Sequence, residues 1–444
     1  MSLLSKTHLR RVVVYEDHVW PQFLPLVYTR GVFELLCGMG SLLSRIRRLA
    51  SADPPRAERR DGCESGDPVV GDVTVEVWCR SALADVVAEE TALPVNRPAG
   101  TPTLLLNGRG LWHCLPKTGA SESSWVGVAG ACSSVACIWA AAKLAAELSP
   151  EVLQDEVRSR AVLAALPQRD VSDCLSLLNW PWELVLANER ALITDWETQG
   201  HTGRRMEGRV AEGAYLLQPE AIHIGRGSRI KPCVVIDAED GPVWIGDDVT
   251  ILPHSYVQGP AWIGDGCLLQ PGAVVHAGST IGPRCKIGGE IQTSILQGFS
   301  NKQHDGFLGH SYIGSWVNLA ADCINSDLKN TYGTVRVPIN GTDVETGEQF
   351  VGMLVGDHSK AGINVSFPTG AVIGFSSSVF ATRSPKFVPS FAWIDETSLQ
   401  PYDPERGLVL AKRVMARRGQ TMNSAQEQVF RSVRELALTI ERQR

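Results

Sequence analysis

The spacing of apolar residues changes part-way along this chain. In roughly the first 200 residues, short apolar runs at 10–17, 73–79 and 103–106 alternate with helical spacing at 32–49, 81–90, 149–166 and 181–196. Residues 125–142 begin like a strand and end like a helix. Alternating strands and helices are typical of a layered α/β domain. We therefore predict such a domain over residues 1–205.

A six-residue period dominates the second half. Eight aliphatic residues follow one another at intervals of six: Ile245, Ile251, Val257, Ile263, Leu269, Val275, Ile281 and Ile287. The same frame occurs at Ile224, Ile230, Ile236, Phe307, Ile313, Leu319, Val355, Ala361, Phe367, Ile373 and Val379. Period six fits neither a helix nor an ordinary strand, but it fits a β-helix with three faces and about eighteen residues per coil. The pattern predicts a left-handed parallel β-helix over residues 214–385.

The last segment, residues 386–444, returns to helical spacing. Leu408, Val414, Val429, Val433 and Ile440 alternate with charged residues. We predict a tail of one or two helices. Because a solenoid needs its ends covered, a structural role is the simplest prediction for this tail.

Composition narrows the class of partner. The 444 residues carry 42 Lys and Arg against 48 Asp and Glu, a formal charge of −6, which argues against a nucleic-acid partner. The apolar stretches favour buried strands and helices over a membrane span. Eleven cysteines, an odd number without a compact framework, favour reduced thiols. We therefore expect a cytoplasmic protein that binds neither nucleic acid nor membrane.

The strict repeat breaks between Ile287 and Ile313. Residues 297–310 concentrate Asn301, Lys302, His304 and Asp305, and polar patches follow at Asn318 and at 325–330. With eighteen residues per coil, His304 is expected to lie above Asp322, with Asn325 and Asp327 near the same edge. Such a basic, amide-rich rim suits a phosphate and hydroxyl groups, and one imidazole could accept a proton. On the residues alone, a solvated turn histidine remains the alternative.

At these residues the chain resembles a known family. The segment from His304 to Asn318, HDGFLGHSYIGSWVN, is similar to the active coil of bifunctional UDP-N-acetylglucosamine diphosphorylase/glucosamine-1-phosphate N-acetyltransferases. The phrases SNKQHDGFLG and NSDLKNTYG, the opening VYEDHVWPQFLPLVYTR and the segment PWEL resemble the shortened GlmU-like family best known from Bacteroidetes. The resemblance implies an α/β nucleotidyltransferase-like domain, a left-handed β-helix and a helical tail.

The resemblance also implies chemistry and a site. It implies acetyl-CoA-dependent N-acetylation of glucosamine 1-phosphate, followed by uridylyl transfer from UTP with Mg²⁺, in a homotrimer that binds sugar phosphates and nucleotides. His304 matches the general base, and Asn318, Asn325, Asp327 and Lys329 match the sugar-phosphate site. Acetyl-CoA would lie on the later coils, where small residues admit a pantetheine arm, near Ser359, Ala361, Gly362 and Ala381. Gln292 and Phe307 replace a lysine and a tyrosine of the better-known enzymes.

For the N-terminal half, the resemblance implies Arg30, Glu34, Asn107 and Arg109 as ligands for nucleotide and sugar phosphate. No residue is assigned to a metal. The glycine-rich phosphate loop of most sugar nucleotidyltransferases is replaced by Glu16, Asp17 and His18. Two alternatives stay open: a scaffold, non-catalytic or with one activity, whose N-terminal site has degenerated, and a metal-dependent hydratase on the same coil architecture.

Overall fold

The structure is a computed structural model that describes residues 9–51, 73–118, 123–130, 133–198 and 206–441. The chain separates into two compact units. The first contains residues 1–21, 30–35 and 41–179, and the second contains residues 22–29, 36–40 and 180–444. Each unit is described by itself below.

The first unit is built on a six-stranded mixed sheet in the order β2-β1-β3-β6-β5-β7. The strands are β1 (Arg11–Tyr15), β2 (Thr74–Trp78), β3 (Thr103–Asn107), β5 (Trp125–Ala129), β6 (Ser134–Ala140) and β7 (Gln168–Asp170). β1 runs parallel to β2 and β3, whereas β6 is antiparallel to β3 and β5. A separate antiparallel pair joins β4 (Gly110–Trp112) to β8 (Leu175–Leu177). The apolar runs predicted as strands at the start of the chain are confirmed.

Helices α1 (Leu42–Ala50), α2 (Ala84–Thr91), α3 (Ala142–Glu147), α4 (Pro150–Leu153) and α5 (Glu156–Leu163) complete this unit. Three predicted helices are shorter than expected. Residues 32–49 give only a 3₁₀ turn (Val32–Glu34) and α1, because Gly38 at φ 77° interrupts the path and Ser41 caps a new helix. Asp155 caps α5 and so divides residues 149–166. Residues 138–140 belong to β6, where Ile138 and Trp139 pair with neighbouring strands.

The second unit is a solenoid with three faces, which we call A, B and C in chain order. Face A contains Ile222–Ile224, Val243–Ile245, Ala261–Ile263, Ser279–Ile281, Ile295–Gly298, Tyr312–Ser315, Leu354–Val355, Val372–Ile373 and Phe387–Val388. Face B contains Arg209–Val210, Arg229–Ile230, Thr250–Ile251, Leu268–Leu269, Lys286–Ile287, Asn301–Lys302, Asn318–Leu319, Lys360–Ala361, Ser378–Val379, Ala392–Ile394 and Leu399–Pro401. Face C contains Tyr215–Leu217, Val235–Asp237, Tyr256–Gln258, Val274–Val275, Glu290–Gln292 and Phe307–Gly309. A separate pair, Ile324–Asn325 with Ser366–Phe367, continues face C.

The aliphatic residues of the six-residue frame form the solenoid core. All eight from Ile245 to Ile287 are fully buried, which confirms the predicted β-helix. The six-residue frame placed Phe307 in the core, which is wrong. The aliphatic side chain of Leu308 is buried in that strand, and Phe307 is partly exposed. The frame slips there because coil length changes. On face A, Ile263 pairs with Ile281, which is eighteen residues later. Ile281 pairs with Leu296, which is fifteen residues later, and Leu296 pairs with Ile313, which is seventeen residues later.

The long insertion between Asn325 and Leu354 contains a hairpin, Arg336–Ile339 with Thr342–Glu345. Three helices pack within the second unit: α6 (Pro181–Thr198), α7 (Pro404–Ala416) and α8 (Ser424–Ile440). The two helices predicted for the tail are present, but the tail begins later than residue 386, because Phe387–Val388, Ala392–Ile394 and Leu399–Pro401 are still solenoid strands. Phe430 of the second tail helix lies in an aromatic cluster with Phe375 and Phe391. None of the described helices combines the length and the apolar character needed to cross a membrane.

Candidate functional site

His304 lies on the edge between faces B and C, which we call the B–C edge. The edge consists of the turns that follow the face B strands, including residues 303–306, 320–323 and 362–365. The His304 side chain is exposed, and its Nε2 lies 3.3 Å from Nε2 of Gln303. Asp322 bonds to Asp305 rather than to His304, through its backbone N–H at 3.1 Å. The expected stacking of Asp322 on His304 is therefore off by one residue, because this coil has seventeen residues.

Lys302 is not on the rim, where the sequence placed it. Its side chain is fully buried and occupies the inward position of face B, paired with Ile287 in the preceding coil. The ammonium group donates to the carbonyl oxygens of His304 at 2.5 Å and Asp305 at 2.6 Å. Burial lowers the pKa of Lys302, while nearby Asp305 and Asp322 oppose that shift. Lys302 thus holds the backbone of the His304 turn from inside the solenoid.

Asn318 lies on the outer side of face B, one coil after Asn301. Nδ2 of Asn301 donates to Oδ1 of Asn318 at 3.3 Å, and Oδ1 of Asn301 accepts from Arg418 at 3.0 Å. Arg418 belongs to the turn between α7 and α8, so the tail reaches the face that carries Asn318. Sequence reasoning missed Arg418, since the tail shows only a helical pattern.

Asn325 is buried inside face C, at 3% exposure. Its amide oxygen accepts from the Gly309 N–H at 2.9 Å, and its amide nitrogen donates to the Gly309 carbonyl at 3.0 Å. These two bonds bridge the coils where the ladder of face C stops. The side chain that was expected to bind sugar phosphate is therefore engaged with backbone.

Asp327 and Lys329 lie on another edge, between faces C and A, which we call the C–A edge. Oδ2 of Asp327 lies 2.8 Å from Nδ1 of His310, and both side chains are largely buried. The ring of Phe350 packs 5.1 Å from that of His310. Lys329 donates to the Thr334 carbonyl within the insertion. Sequence reasoning passed over His310, although a carboxylate seventeen residues later was a usable signal.

The structure thus divides the expected sugar-phosphate residues between two edges. His304 lies on the B–C edge, whereas Asp327 lies on the C–A edge with His310. Six extended residues separate the two histidines, a span of up to roughly 20 Å. Within one chain, the two groups do not form a single cluster.

Three of the four residues expected at acetyl-CoA point inward. Ser359, Ala361 and Ala381 are 1%, 5% and 6% exposed, and Ser359 donates to the Gly374 carbonyl at 2.5 Å. Their side chains fill the core, which corrects the expectation that they face the pantetheine arm. Gly362 lies on the B–C edge and has no side chain, and an added Cβ there would come 3.0 Å from Phe380.

In the first unit, polar residues gather at the carboxyl ends of the parallel strands β1, β2 and β3. Ligand sites of parallel sheets form at this end. Glu16 accepts from the Arg80 guanidinium at 3.2 and 3.3 Å and from the Val32 N–H at 3.0 Å. Asp17 accepts from Asn107 and from Nε of Arg109, each at 2.8 Å. Glu16, Asp17 and Arg80 were not predicted as site residues, although two acids directly after the first strand were visible in the sequence.

The residues expected to bind nucleotide differ in accessibility. Asn107 and Arg109 are 1% and 3% exposed, and Arg109 also donates to the Leu178 carbonyl at 2.7 Å. Their polar groups are engaged in a buried network. Arg30 is half-buried, and its carbonyl accepts from Arg80 at 2.8 Å. Burial, followed by the charge of Glu90, raises the pKa of Glu34 to about 8.

A Mg²⁺ ion would need oxygen ligands, with carboxylates most common. Glu16 and Asp17 each bind an arginine, and across the described residues there is no group of three or more His, Cys, Asp or Glu side chains that could hold a metal ion. The residues of the first unit do not fit a protein-held Mg²⁺ site. The hydratase alternative also gains no support: His223 stacks on Trp244 and His276 bonds to Glu290.

Family models match both halves of the chain. Residues 12–202 match a model described as sugar nucleotidyl transferase. Residues 242–277 and 261–290 match the bacterial transferase hexapeptide model, which describes six repeats. A segment similar to sugar nucleotidyl transferases is thus followed by a segment similar to bacterial transferase hexapeptide repeats. Both matched models thus describe transferases.

Curated relatives carry both functions in their names. A bifunctional sugar-1-phosphate nucleotidylyltransferase/acetyltransferase of Sulfurisphaera tokodaii is 29% identical over 97 residues, 21% of this chain and 24% of the relative. The bifunctional protein GlmU of Methanococcus vannielii is 34% identical over 92 residues, 21% of this chain and 22% of the relative. The chain therefore matches less than a quarter of the length of either. A solved UDP-N-acetylglucosamine acyltransferase of Francisella novicida is 16% identical, with 49% of this chain and 71% of that chain covered and a TM-score of 0.27.

Proposed function

We propose that the solenoid unit transfers an acetyl group from acetyl-CoA to the amine of an amino-sugar 1-phosphate, with glucosamine 1-phosphate as the first candidate. The observation that carries this proposal is His304: its imidazole is exposed on the B–C edge, while its backbone is fixed by the buried Lys302. An exposed base on a fixed turn suits general-base chemistry. The name of the Sulfurisphaera tokodaii relative, which includes both a sugar 1-phosphate and an acetyltransferase, supports the same type of reaction.

In the proposed reaction, the neutral imidazole of His304 accepts a proton from the sugar amine as its nitrogen attacks the thioester carbonyl. The tetrahedral intermediate then expels coenzyme A as thiolate, and the imidazolium returns the proton to the sulfur. The side-chain amides of Asn318 and Asn301, on the neighbouring outer surface of face B, form hydrogen bonds with the sugar in this proposal. Arg418 offers a cation to its phosphate.

The test is acetyl-CoA consumption with glucosamine 1-phosphate. We expect His304→Ala to lower kcat at least about 100-fold, the size of effect expected from losing a general base. His254→Ala is the matched control, because His254 is also an exposed histidine in a turn of the B–C edge, three coils earlier. Turnover by His304→Ala equal to that of the control would remove His304 as the base. Absence of turnover by the wild-type protein would reject the acetyl transfer itself.

For the first unit, we propose uridylyl transfer from UTP to the N-acetylated sugar 1-phosphate at the carboxyl ends of β1, β2 and β3. Arg30 is the nearest candidate for the phosphates, because Asn107 and Arg109 are buried. The buried Asp17 network favours the alternative of a chain that retains only acetyl transfer. Pyrophosphate release from UTP and N-acetylglucosamine 1-phosphate, measured with and without Mg²⁺, separates the two. No release under either condition would leave acetyl transfer as the one activity.

We further propose a homotrimer in the cytoplasm, where UTP and acetyl-CoA are available. Ile324, Ile363 and Phe380 are exposed apolar side chains on or beside the B–C edge, in successive coils near His304. Apolar side chains gathered in this way are typical of a protein interface. A second copy bound at this surface would bring its own residues to the B–C edge beside His304. Such a contribution is needed because, within one chain, His304 and the other expected sugar-phosphate residues lie on different edges.

A further inference from the structure

Lys302 is an exception in the column of residues that it belongs to. The inward positions of face B are otherwise aliphatic: Val210, Ile230, Ile251, Leu269, Ile287, Leu319, Ala361, Val379 and Ile394. Lys302 lies in the middle of this column and is fully buried. A leucine there would continue the core without any polar group.

Burying the ammonium group of Lys302 has a free-energy cost. Removing such a charge from water costs several kcal/mol unless good hydrogen bonds replace the lost hydration. The ammonium group of Lys302 donates to two backbone carbonyls rather than to carboxylates, at 2.5 and 2.6 Å. Hydrogen bonds of a charged donor are the stronger kind. The chain therefore retains a costly residue whose contacts serve only the turn at 304–305.

The geometry of that turn depends on these contacts. Gly306, at φ 119°, brings the chain so close to the next coil that an added Cβ would lie 2.2 Å from the Cys323 carbonyl and 3.1 Å from Nζ of Lys302. The Asp305 carbonyl that Lys302 binds also accepts the Asp322 N–H. Lys302 therefore connects two consecutive positions of the turn, 304 and 305, to the core, and the second of them is bonded to the following coil, while the His304 side chain faces outward.

We propose that Lys302 is a positioning residue for acetyl transfer: from inside the solenoid it fixes the main chain of His304, so that the imidazole meets the sugar amine in reactive geometry. This inference rests on the proposed function, in which His304 is the base. Lys302 contacts no substrate, because its side chain is enclosed by the coil. Its effect must pass through the turn.

The first test is Lys302→Met, which keeps the length of the side chain and removes the charge. We expect kcat to fall about 100-fold, the loss that a misplacement of about 1 Å can cause, with KM for glucosamine 1-phosphate within twofold of wild type. Thermal stability should change little, because removal of the buried charge offsets the loss of its hydrogen bonds to the carbonyls of His304 and Asp305. Leu319→Met, at the next position of the same column, is the matched control and should retain wild-type kcat.

A kcat of Lys302→Met within threefold of the control would overturn the proposal. A rise in KM with unchanged kcat would do the same, because it would indicate a role in binding.

The second test does not depend on activity. Amide hydrogen exchange of Asp322 and Glu290, whose N–H groups donate to the turn carbonyls of Asp305 and Gly306, should become at least about tenfold faster in Lys302→Met and stay unchanged in Leu319→Met. If the wild-type protein shows no acetyl transfer but the exchange responds in this way, the proposed function fails and the positioning role stands. Unchanged exchange at these two amides, or faster exchange throughout the solenoid, would overturn the positioning role.

Discussion

At the scale of single residues, buried polar groups in this protein mainly hold backbone. Lys302 binds two carbonyls, Asn325 binds both polar groups of Gly309, and Glu16 binds the Val32 N–H as well as Arg80. Buried polar groups are tolerated when their hydrogen bonds are complete. Glu34 likewise accepts from the Gly31 N–H at 2.7 Å, and burial raises the pKa of its carboxyl group to about 8.

Glu34 should make stability depend on pH. Its pKa is about 8 in the folded protein and near 4.5 when exposed, so the folded state binds the extra proton between these values. Its contribution to stability is complete below about pH 4.5 and is lost as pH rises towards 8, by up to about 1.4 kcal/mol per pH unit. In urea unfolding at pH 5, 6.5 and 8, Glu34→Gln should lose less stability with pH than wild type.

The exposed Glu147→Gln serves as the control for a simple loss of charge. Parallel pH curves for Glu34→Gln and wild type would contradict the raised pKa.

At the scale of elements, the solenoid tolerates changes in coil length where polar side chains repair the ladder. The strand Ile324–Asn325 is not paired in the ladder of face C with Phe307–Gly309, and the Asn325 amide makes the connection instead. The long insertion leaves the solenoid directly after this strand. The two hydrogen bonds between the Asn325 side chain and the Gly309 backbone, which we call the clamp, therefore fix the last strand before the insertion.

Removing the clamp should destabilise the second unit. Asn325→Ala leaves the N–H of Gly309 unpaired inside the core, and a buried unpaired group of this kind costs about 1–3 kcal/mol. The Gly309 carbonyl loses one of its two donors and keeps the Ser311 hydroxyl. We expect a loss of at least about 2 kcal/mol in the free energy of unfolding, measured by chemical denaturation. Asn318→Ala, on the outer surface of face B, should lose less than about 0.5 kcal/mol. Equal losses in the two variants would argue against the clamp.

The regular elements were predictable and the polar interior was not. Eight aliphatic residues at a constant interval determine the stacked coils, because each side chain must be buried on its neighbour one coil away. The sequence predicts that Lys302 and Asn325 lie on the surface, because lysine and asparagine are rarely buried. Their burial depends on coils of fifteen and seventeen residues, which a six-residue frame does not anticipate. The same slip separated Asp322 from His304 and moved Phe307 outward.

At the scale of the whole molecule, the exposed apolar residues on the B–C edge bear on assembly. Ile363 is 66% exposed and lies one coil after the turn that contains Asp322. An exposed residue of this kind costs little in a monomer but gains burial when a second copy covers it.

Ile363→Asp should therefore prevent assembly. Light scattering should give a trimer for wild type, three times the 48.2 kDa of the chain, and a monomer for the variant. Acetyl transfer should fall with it. Val157→Asp is the control, since Val157 is 79% exposed in the first unit. A wild-type monomer, or a trimeric Ile363→Asp variant, would count against the proposed interface.

The shortened coil also affects how this protein can be recognised among others. The hexapeptide match ends at residue 290, within the fifteen-residue step from Ile287 to Lys302. A profile built on a constant period loses phase at that step, although the stacked coils continue to Ile394. The part of the solenoid that carries His304 is therefore the part that period-based comparison detects least well. Aligning such chains by coil, with each coil allowed its own length, would bring their histidine turns into correspondence.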